Sequence, residues 1–171
     1  DYREFAGEGA HVTLISTGVA TVGYPPTFVA TIDTATGTQI GQTLKLDGEE
    51  VWGARVVSAD GNRLLMITHN YKVLSDGYTY DVTYFTMIDT ATGAQIGSTM
   101  LPGTKAPTAD LTIDPDTGRA FVMTSGTSPG REGRADFLAV IDTATGRQLG
   151  STVSVGTAGD NSTLQISADH T

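Results

Sequence analysis

The sequence predicts an all-β fold made of about three four-stranded antiparallel sheets, one for each of three tandem repeats. Glycine supplies 21 of the 171 residues, while aromatic residues make up 7% and charged residues 17%. Many short strands joined by tight turns give such a composition. Two motifs also recur in phase along the chain, and the spacing of apolar residues shows no helical period.

The first motif reads I-D-T-A-T-G-x-Q-I/L-G-x-T. Its copies begin at Ile32, Ile88 and Ile141, 56 and 53 residues apart. Each copy follows an apolar, β-branched segment, which predicts a strand that runs into a tight turn. We expect the aspartate to cap backbone N–H groups of the turn and the glycine to supply a positive φ. Because they recur once per repeat, we interpret these residues as structural turn caps: Asp33, Gly37, Asp89, Gly93, Asp142 and Gly146.

The second motif is a hairpin of two apolar strands, at residues 54–68 and 109–124, with a weaker copy at 3–17. Each repeat therefore holds four strands, A to D, in two hairpins. We expect repeats at residues 1–53, 54–108 and 109–162, with the first strand of a fourth copy at 163–171.

The two motifs resemble the YVTN-type β-propeller repeat, through residues 140–146 with their sister copies and residues 58–61. The resemblance covers nearly the whole chain and implies that the repeats are propeller blades. It also implies a bacterial secreted or cell-surface protein, whose signal segment is absent from this chain. The chain departs from the pattern at 114–118, where the turn has an extra residue, and at Glu8-Gly9, which replaces Asp-Gly.

Three blades leave two terminal sheet faces uncovered, because propellers contain about four to eight blades. The expected partners are the remaining blades of the same protein, so that the chain is part of a larger propeller. Alternatively, two copies pair into a six-bladed ring, in which the last A strand completes the partner's sheet. An open stacked array is the third arrangement.

The connections between hairpins vary in length and chemistry, unlike the turns within them. The variable segments are residues 18–26, 47–53, 70–81, 102–108, 125–136 and 156–162. Strand alternation places all of them at one end of the blades, where a repeated scaffold would carry a binding surface. Aromatic and arginine side chains are favoured anchors in recognition. The candidate binding residues are Trp52, His69, Asn70, Tyr71, Tyr78, Tyr80, Arg131 and Arg134. In the structural alternative, Trp52 covers the core and the tyrosines brace a long loop.

Charge and composition exclude several function classes. A net charge of −9 argues against nucleic acid or an anionic membrane as partner, and the chain has no cysteine for disulfides or thiolate metal sites. No apolar run approaches the roughly 20 residues of a membrane span. No metal site or cofactor is predicted. The histidines His11, His69 and His170 are scattered, and Asp114 and Asp116 lack the alternating ligands of a calcium loop.

Two function classes follow. The first is a non-enzymatic repeat segment that scaffolds or binds a protein or another ligand through its variable end. The alternative is an enzyme with its site in a central channel, such as a lactonase-like hydrolase or a quinoprotein-type dehydrogenase. Its nearest polar candidates are Arg55, His69 and Asp110.

Overall fold

The computed structural model describes residues 3–6, 10–20, 24–73, 79–102, 109–126, 135–157 and 164–165. The described residues form three sheets and no helix. Sheet 1 contains β1 (Arg3–Ala6), β2 (His11–Thr17), β3 (Thr27–Asp33) and β4 (Gln39–Leu46). Sheet 2 contains β5 (Glu49–Val57), β6 (Arg63–Val73), β7 (Thr79–Asp89) and β8 (Ala94–Pro102). Sheet 3 contains β9 (Ala109–Asp114), β10 (Arg119–Gly126), β11 (Ala135–Asp142) and β12 (Arg147–Thr157).

In every sheet the strands pair antiparallel in chain order, so each repeat is a four-stranded meander. Sheet 2 lies between the other two. Contacts join β5 to β9 and β8 to both β4 and β12. The predicted fold class, all-β with three four-stranded antiparallel sheets, is confirmed.

Two segments that we expected as loops are largely strand. β5 begins at Glu49, inside the connection expected at 47–53 and ahead of the expected repeat boundary at residue 53. β6 and β7 stay paired as far as Val73 and Thr79, within the connection expected at 70–81. This segment is rich in tyrosine, valine and threonine, which favour a pleated strand once a neighbouring strand supplies the backbone partners.

The inner strand β6 of sheet 2 has a segment that is buried on both faces of the sheet. Residues 64–67 of β6 are all 0% exposed, and successive side chains point to opposite sides. Leu64 and Met66 join a cluster with residues of sheet 1, namely Ile15, Val29 and Leu46. Leu65 and Ile67 join a cluster with residues of sheet 3, namely Ala120, Val122, Ala139 and Ile141. A run of four consecutive apolar residues is therefore explained by neighbours on both sides.

Glycines join neighbouring sheets at their edges. The turn glycine Gly93 of sheet 2 packs against the backbone of Ile40 and Gly41 in β4. In the next pair, Gly146 of sheet 3 packs against Gly97 in β8, and a Cβ built on Gly146 would lie 2.8 Å from the Gly97 Cα. Each contact thus pairs the glycine of an I-D-T-A-T-G turn with the second glycine of the preceding copy. Only backbones without Cβ atoms approach so closely.

The remaining polar residues of the first motif hold each sheet together internally. The first threonine hydroxyl of each copy donates to a carbonyl in the adjacent A–B turn: Thr34 to Ala10 (3.0 Å), Thr90 to Gly61 (2.5 Å) and Thr143 to Gly118 (2.8 Å). The last strand of each sheet, β4, β8 or β12, pairs with its neighbour through a register shift. In two copies the glutamine spans it, with Gln39 Nε2 3.2 Å from Thr43 Oγ1 and Gln148 Nε2 2.9 Å from Thr152 Oγ1.

Replacement of Gly93 by alanine tests the contact between sheets, with Gly118→Ala as the matched control. Both glycines have similar φ values, +65° and +64°, so both variants strain the backbone by about 1–2 kcal/mol. A Cβ at Gly118 makes an ordinary contact, 3.6 Å from Thr143 Oγ1, whereas at Gly93 it overlaps the Ile40 carbonyl. We expect Gly93→Ala to lower the free energy of unfolding by about 1–3 kcal/mol more than the control. Urea denaturation measures this difference, and equal losses in the two variants would contradict it.

Candidate binding site at the variable-loop end

The three sheets have two unlike ends. One end carries the turns within hairpins, where Thr34, Thr90 and Thr143 tie the two turns of each sheet together. The opposite end carries the connections between hairpins. Among the described residues of that end, segments of two sheets contact one another where the chain passes from sheet 1 to sheet 2.

The two-residue connection between β4 and β5 is fixed by both sheets. The Gly48 carbonyl accepts from the backbone N–H and the hydroxyl of Thr27 in sheet 1, both at 3.0 Å. The Asp47 carbonyl accepts from the Thr68 hydroxyl in sheet 2 at 2.6 Å. Gly48 has a φ of +86°, and a Cβ there would overlap the His69 carbonyl. The connection therefore sits in one conformation, pressed against the end of β6.

Three aromatic rings gather beside this connection. The ring of Tyr24, from the loop between β2 and β3, contacts His69 edge-on with centroids 4.2 Å apart. The same ring meets Tyr71 edge-on, with centroids 6.1 Å apart. All three residues are half-buried, so each ring combines packing with exposure. Edge-to-face pairs of this kind add about 0.5–1.5 kcal/mol beyond the area that they bury.

An amide–carboxylate pair lies next to the rings. Asn70 Nδ2 donates to Asp47 Oδ1 at 2.8 Å, and the Tyr71 backbone N–H donates to Asn70 Oδ1 at 2.8 Å. The side chain of Asn70 is thus oriented by both its nitrogen and its oxygen. It offers a ligand a prearranged polar surface at low cost in side-chain entropy.

An open depression of about 420 Å³ lies over this region. It is lined by residues of both sheets: Val19, Ala20, Tyr24, Pro26, Lys45, Leu46, Asp47, Gly48 and Asn70. Lys45 and Asp47 are exposed and place opposite charges in its wall. The lining is mainly polar with the Tyr24 ring on one side, so the depression can hydrogen-bond a polar group that packs on that ring. We call the following six residues the variable-end site: Tyr24, Lys45, Asp47, His69, Asn70 and Tyr71.

The sequence-predicted binding residues separate into three groups. His69, Asn70 and Tyr71 belong to the variable-end site. Trp52 lies in β5, within the register shift between Glu50 and Arg55, and Tyr80 lies in β7 opposite Lys72. Tyr78, Arg131 and Arg134 lie outside the described residues.

Three members of the site were not among the predicted residues: Tyr24, Lys45 and Asp47. Tyr24 and Asp47 fall within connections already expected at this end, at 18–26 and 47–53, so their position was a usable signal. Lys45 falls just before the second connection and carries no signal in the sequence.

The turn aspartates accept hydrogen bonds in the geometry of an Asx cap. Asp33 Oδ1 accepts from the N–H groups of Ala35 (2.7 Å) and Thr36 (3.1 Å). Asp142 Oδ1 accepts in the same way from Ala144 (2.8 Å) and Thr145 (3.0 Å), and Asp89 Oδ1 accepts from Thr92 (3.0 Å). The Thr36 N–H, followed by that of Ala35, lowers the pKa of Asp33 below its ordinary value. Their oxygens are thereby occupied in holding turns.

The carboxylates considered for metal or catalysis also have backbone donors. Asp114 is buried and accepts from the N–H of Asp116 (3.0 Å) and the hydroxyl of Thr117 (2.6 Å). Asp110, on β9, accepts from the Leu164 N–H at 2.8 Å. His69 lies at the variable end against Tyr24, and Arg55 lies on β5 opposite Met66. Within the described ranges, no group of three His, Asp or Glu residues is placed to hold a metal ion.

A second depression, of about 330 Å³, lies at the opposite end between sheets 2 and 3. It includes Ser58, Asp60, Arg63, Asp114 and Thr143. Its polar residues are engaged in turn contacts: the Ser58 hydroxyl donates to Asp60, the Thr143 hydroxyl donates to the Gly118 carbonyl at 2.8 Å, and Arg63 pairs with Asp89 beside the depression. We therefore assign this depression to turn packing and not to ligand binding.

Comparison with known proteins identifies no family. No family model matches the chain, and no curated protein matches it either. YVTN-type membership therefore stays a prediction. Six chains of known structure match, among them the β-propeller domain of the Trilobed protease from Pyrococcus furiosus, described as having an open velcro topology. The match is 9% identical with a TM-score of 0.28 and covers 91% of this chain and 58% of that one. This chain thus spans less than two thirds of its structural neighbour.

No helix among the described residues has the length and apolarity to cross a bilayer.

Acid titration tests the turn at Asp60. The Ser58 hydroxyl, followed by the Asn62 backbone and side chain, lowers the pKa of Asp60 from 3.8 to about 2. Because the folded pKa lies below the unfolded one, ionised Asp60 stabilises the fold above pH 3.8, and this stabilisation is lost as the pH falls through about 2. We expect Asp60→Asn to melt below the wild type near neutral pH, and the difference to vanish near pH 2.

Ser58→Ala provides the control, because it removes the largest cause of the lowered pKa and keeps the carboxyl. The stabilisation by ionised Asp60 should then be smaller, and it should already be lost at a pH closer to 3.8. Melting curves that show the same difference between wild type and Asp60→Asn at every pH would contradict the assignment.

Proposed function

We propose that this chain is a non-enzymatic repeat module that binds a protein partner through the variable-end site. The observation that supports this is the convergence of Tyr24, His69 and Tyr71 beside the hydrogen-bonded pair Asp47 and Asn70. These residues come from two consecutive repeats. They are brought together by the fixed connection between β4 and β5.

The chemistry of the site favours a peptide segment as the bound group. Half-exposed tyrosine rings supply apolar area with few rotatable bonds, and tyrosine is enriched where proteins recognise one another. The adjacent amide, carboxylate and ammonium groups can hydrogen-bond a peptide backbone. The depression is open rather than enclosed, which suits one side chain of a larger partner better than a small substrate sequestered from water.

The fold also suits this role. Sheet 2 is held on both faces, and the connection that carries Asp47 is anchored to both sheets. The site is therefore preorganised, so that little conformational entropy is lost when a partner binds. We further propose that the module belongs to a YVTN-type protein that is secreted or attached to the cell surface, as the resemblance of its repeats implies.

A channel enzyme receives less support. Of the candidates named for it, His69 lies at the variable end, and the Asp110 carboxylate accepts a backbone hydrogen bond. Neither is brought to a shared site in which a nucleophile, a base and a developing charge could meet.

A displayed library of random peptides, selected against the wild-type chain, tests the proposed function. We expect the enriched peptides to carry aromatic residues and to bind Tyr71→Ala at least about tenfold more weakly, a loss of about 1.4 kcal/mol. Lys45→Ala should weaken binding as well, and because Lys45 is exposed this variant leaves the fold intact.

The matched control is Thr145→Ala, an exposed position in a turn at the opposite end. It should bind the same peptides as tightly as the wild type in surface plasmon resonance. Peptides that bind the three variants equally well, or a selection that enriches none, would overturn the proposal.

A further inference from the structure

The sheets stack through two kinds of face, and the chain carries an exposed example of each. We call the side of a sheet that packs on the following sheet its forward face, and the opposite side its rear face. The forward face of sheet 1 packs on the rear face of sheet 2, and the forward face of sheet 2 packs on the rear face of sheet 3. The forward face of sheet 3 and the rear face of sheet 1 have no sheet of this chain on them in the described structure.

The forward face of sheet 3 is apolar. The alternation of side chains along β10 and β11, and the pairs that β11 makes with β12, place six residues on it. They are Phe121, Met123, Leu138, Val140, Leu149 and Val153. Leu149 is 42% exposed and Val153 55% exposed. Their counterparts in the other copies, Ile96 and Leu44, pack against the two core clusters. Met100, the counterpart of Val153 in sheet 2, is itself 39% exposed, so Leu149 gives the clearer difference between the inner sheets and the last sheet.

The rear face of sheet 1 is the complementary surface. In β2 and β3 the buried residues Thr13, Ile15 and Val29 face sheet 2. The alternating residues on the other side are half-buried and mostly apolar: Val12, Leu14, Phe28, Ala30 and Ile32. They occupy the positions that in sheet 2 are held by buried residues such as Leu64, Met66 and Ile88.

The glycine contact points to the same pairing independently. Between sheets 1 and 2 the contact joins Gly41 to Gly93, and between sheets 2 and 3 it joins Gly97 to Gly146. In sheet 3, Gly150 occupies the motif position of Gly41 and Gly97. In sheet 1, Gly37 occupies the position of Gly93 and Gly146, so Gly150 and Gly37 could form a further contact of the same kind. In the described structure neither has an atom within 4 Å of where a Cβ would stand. Gly37 is exposed, whereas Gly93 and Gly146 are buried.

We propose that the forward face of sheet 3 binds the rear face of sheet 1 of a second copy of this chain, with Gly150 against the partner's Gly37. A second copy is the occupant that these observations favour, because one chain presents both halves of the interface that it already uses twice. A twofold axis would satisfy both open faces of both copies and close a ring of six sheets. Six lies within the range of about four to eight blades in which propellers close. The inference does not depend on the proposed function, since the variable-end site lies between sheets 1 and 2.

Light scattering coupled to size exclusion tests the proposal on this chain of 171 residues. The wild type should have twice the chain mass of 17.8 kDa. Val153→Glu places a charge on the forward face of sheet 3, where the side chain is exposed in a single chain. We expect this variant to have a twofold lower mass, that of one chain, with the far-UV circular dichroism of the wild type. The matched control is Ser154→Glu, which adds the same charge at the next residue of β12 and should stay at the doubled mass.

Gly150→Asn gives a second route to the same answer. Gly150 has a φ of +69°, which asparagine adopts more readily than most residues, and its Cβ meets no described atom of a single chain. The variant should fold and yet have the mass of one chain. If Val153→Glu loses the circular dichroism of a β-sheet protein, the mass of Gly150→Asn tests the proposal in its place. A wild type with the mass of one chain would overturn the proposal. A doubled mass retained by folded Val153→Glu or by Gly150→Asn would also overturn it, as would dissociation of the Ser154→Glu control.

Discussion

The structure depends on the packing of one sheet on the next, and at each of the two junctions a glycine backbone packs against a glycine of the neighbouring sheet. Gly93 against Gly41, and Gly146 against Gly97, bring the turn of one sheet onto the outer strand of the preceding sheet. A Cβ atom at these positions would hold the two edges apart. Because the edges meet, the apolar side chains between them can interdigitate. Residues 64–67 of β6 are fully buried for this reason.

This constraint divides the molecule into an end that maintains the stack and an end that is available for recognition. The I-D-T-A-T-G turns have an aspartate cap and a threonine tie to the neighbouring turn, and those of sheets 2 and 3 also have a glycine contact to the preceding sheet, so most of the motif has a structural task. The opposite end is not restricted in this way. There the chain joins one sheet to the next through Asp47 and Gly48, and this short connection holds residues of two repeats in fixed relation. The variable-end site therefore owes its geometry to the stacking of the sheets.

Much of the fold could be predicted because its signals are local. An aspartate followed four residues later by glycine specifies a capped turn by itself, and the recurrence of that turn fixes how many hairpins the chain holds. The number of strands per sheet and their order follow from the same pattern. The extension of the β6–β7 hairpin was missed because Tyr71 and Val73 are suited to a strand or a loop until a partner strand lies beside them.

The site could be predicted only in part, because its members depend on contacts between distant segments. His69, Asn70 and Tyr71 were recognised as residues of a variable connection. The contact of Tyr24 with His69 joins a loop of the first repeat to strand β6 of the second, and it depends on how β6 lies against the Asp47 connection. The second role of the glycines was hidden for a different reason. A positive φ accounts for Gly93 completely, so nothing in the sequence shows that its backbone also touches another sheet. Gly97 has no positive φ, and the backbone of Thr145 and Gly146 in the next sheet explains why it lacks a side chain.

The most direct test of this stacking is a nuclear Overhauser measurement between α protons across the two glycine contacts. The packing predicts cross-peaks between Gly41 and Gly93 and between Gly97 and Gly146, since the paired backbones touch. Both pairs join different sheets, so no strand pairing within a sheet can produce these signals. Cross-peaks at both pairs would establish the order and contact of the three sheets. Their absence, in spectra that show the cross-strand signals within each sheet, would contradict the stacked arrangement on which the site and the proposed assembly depend.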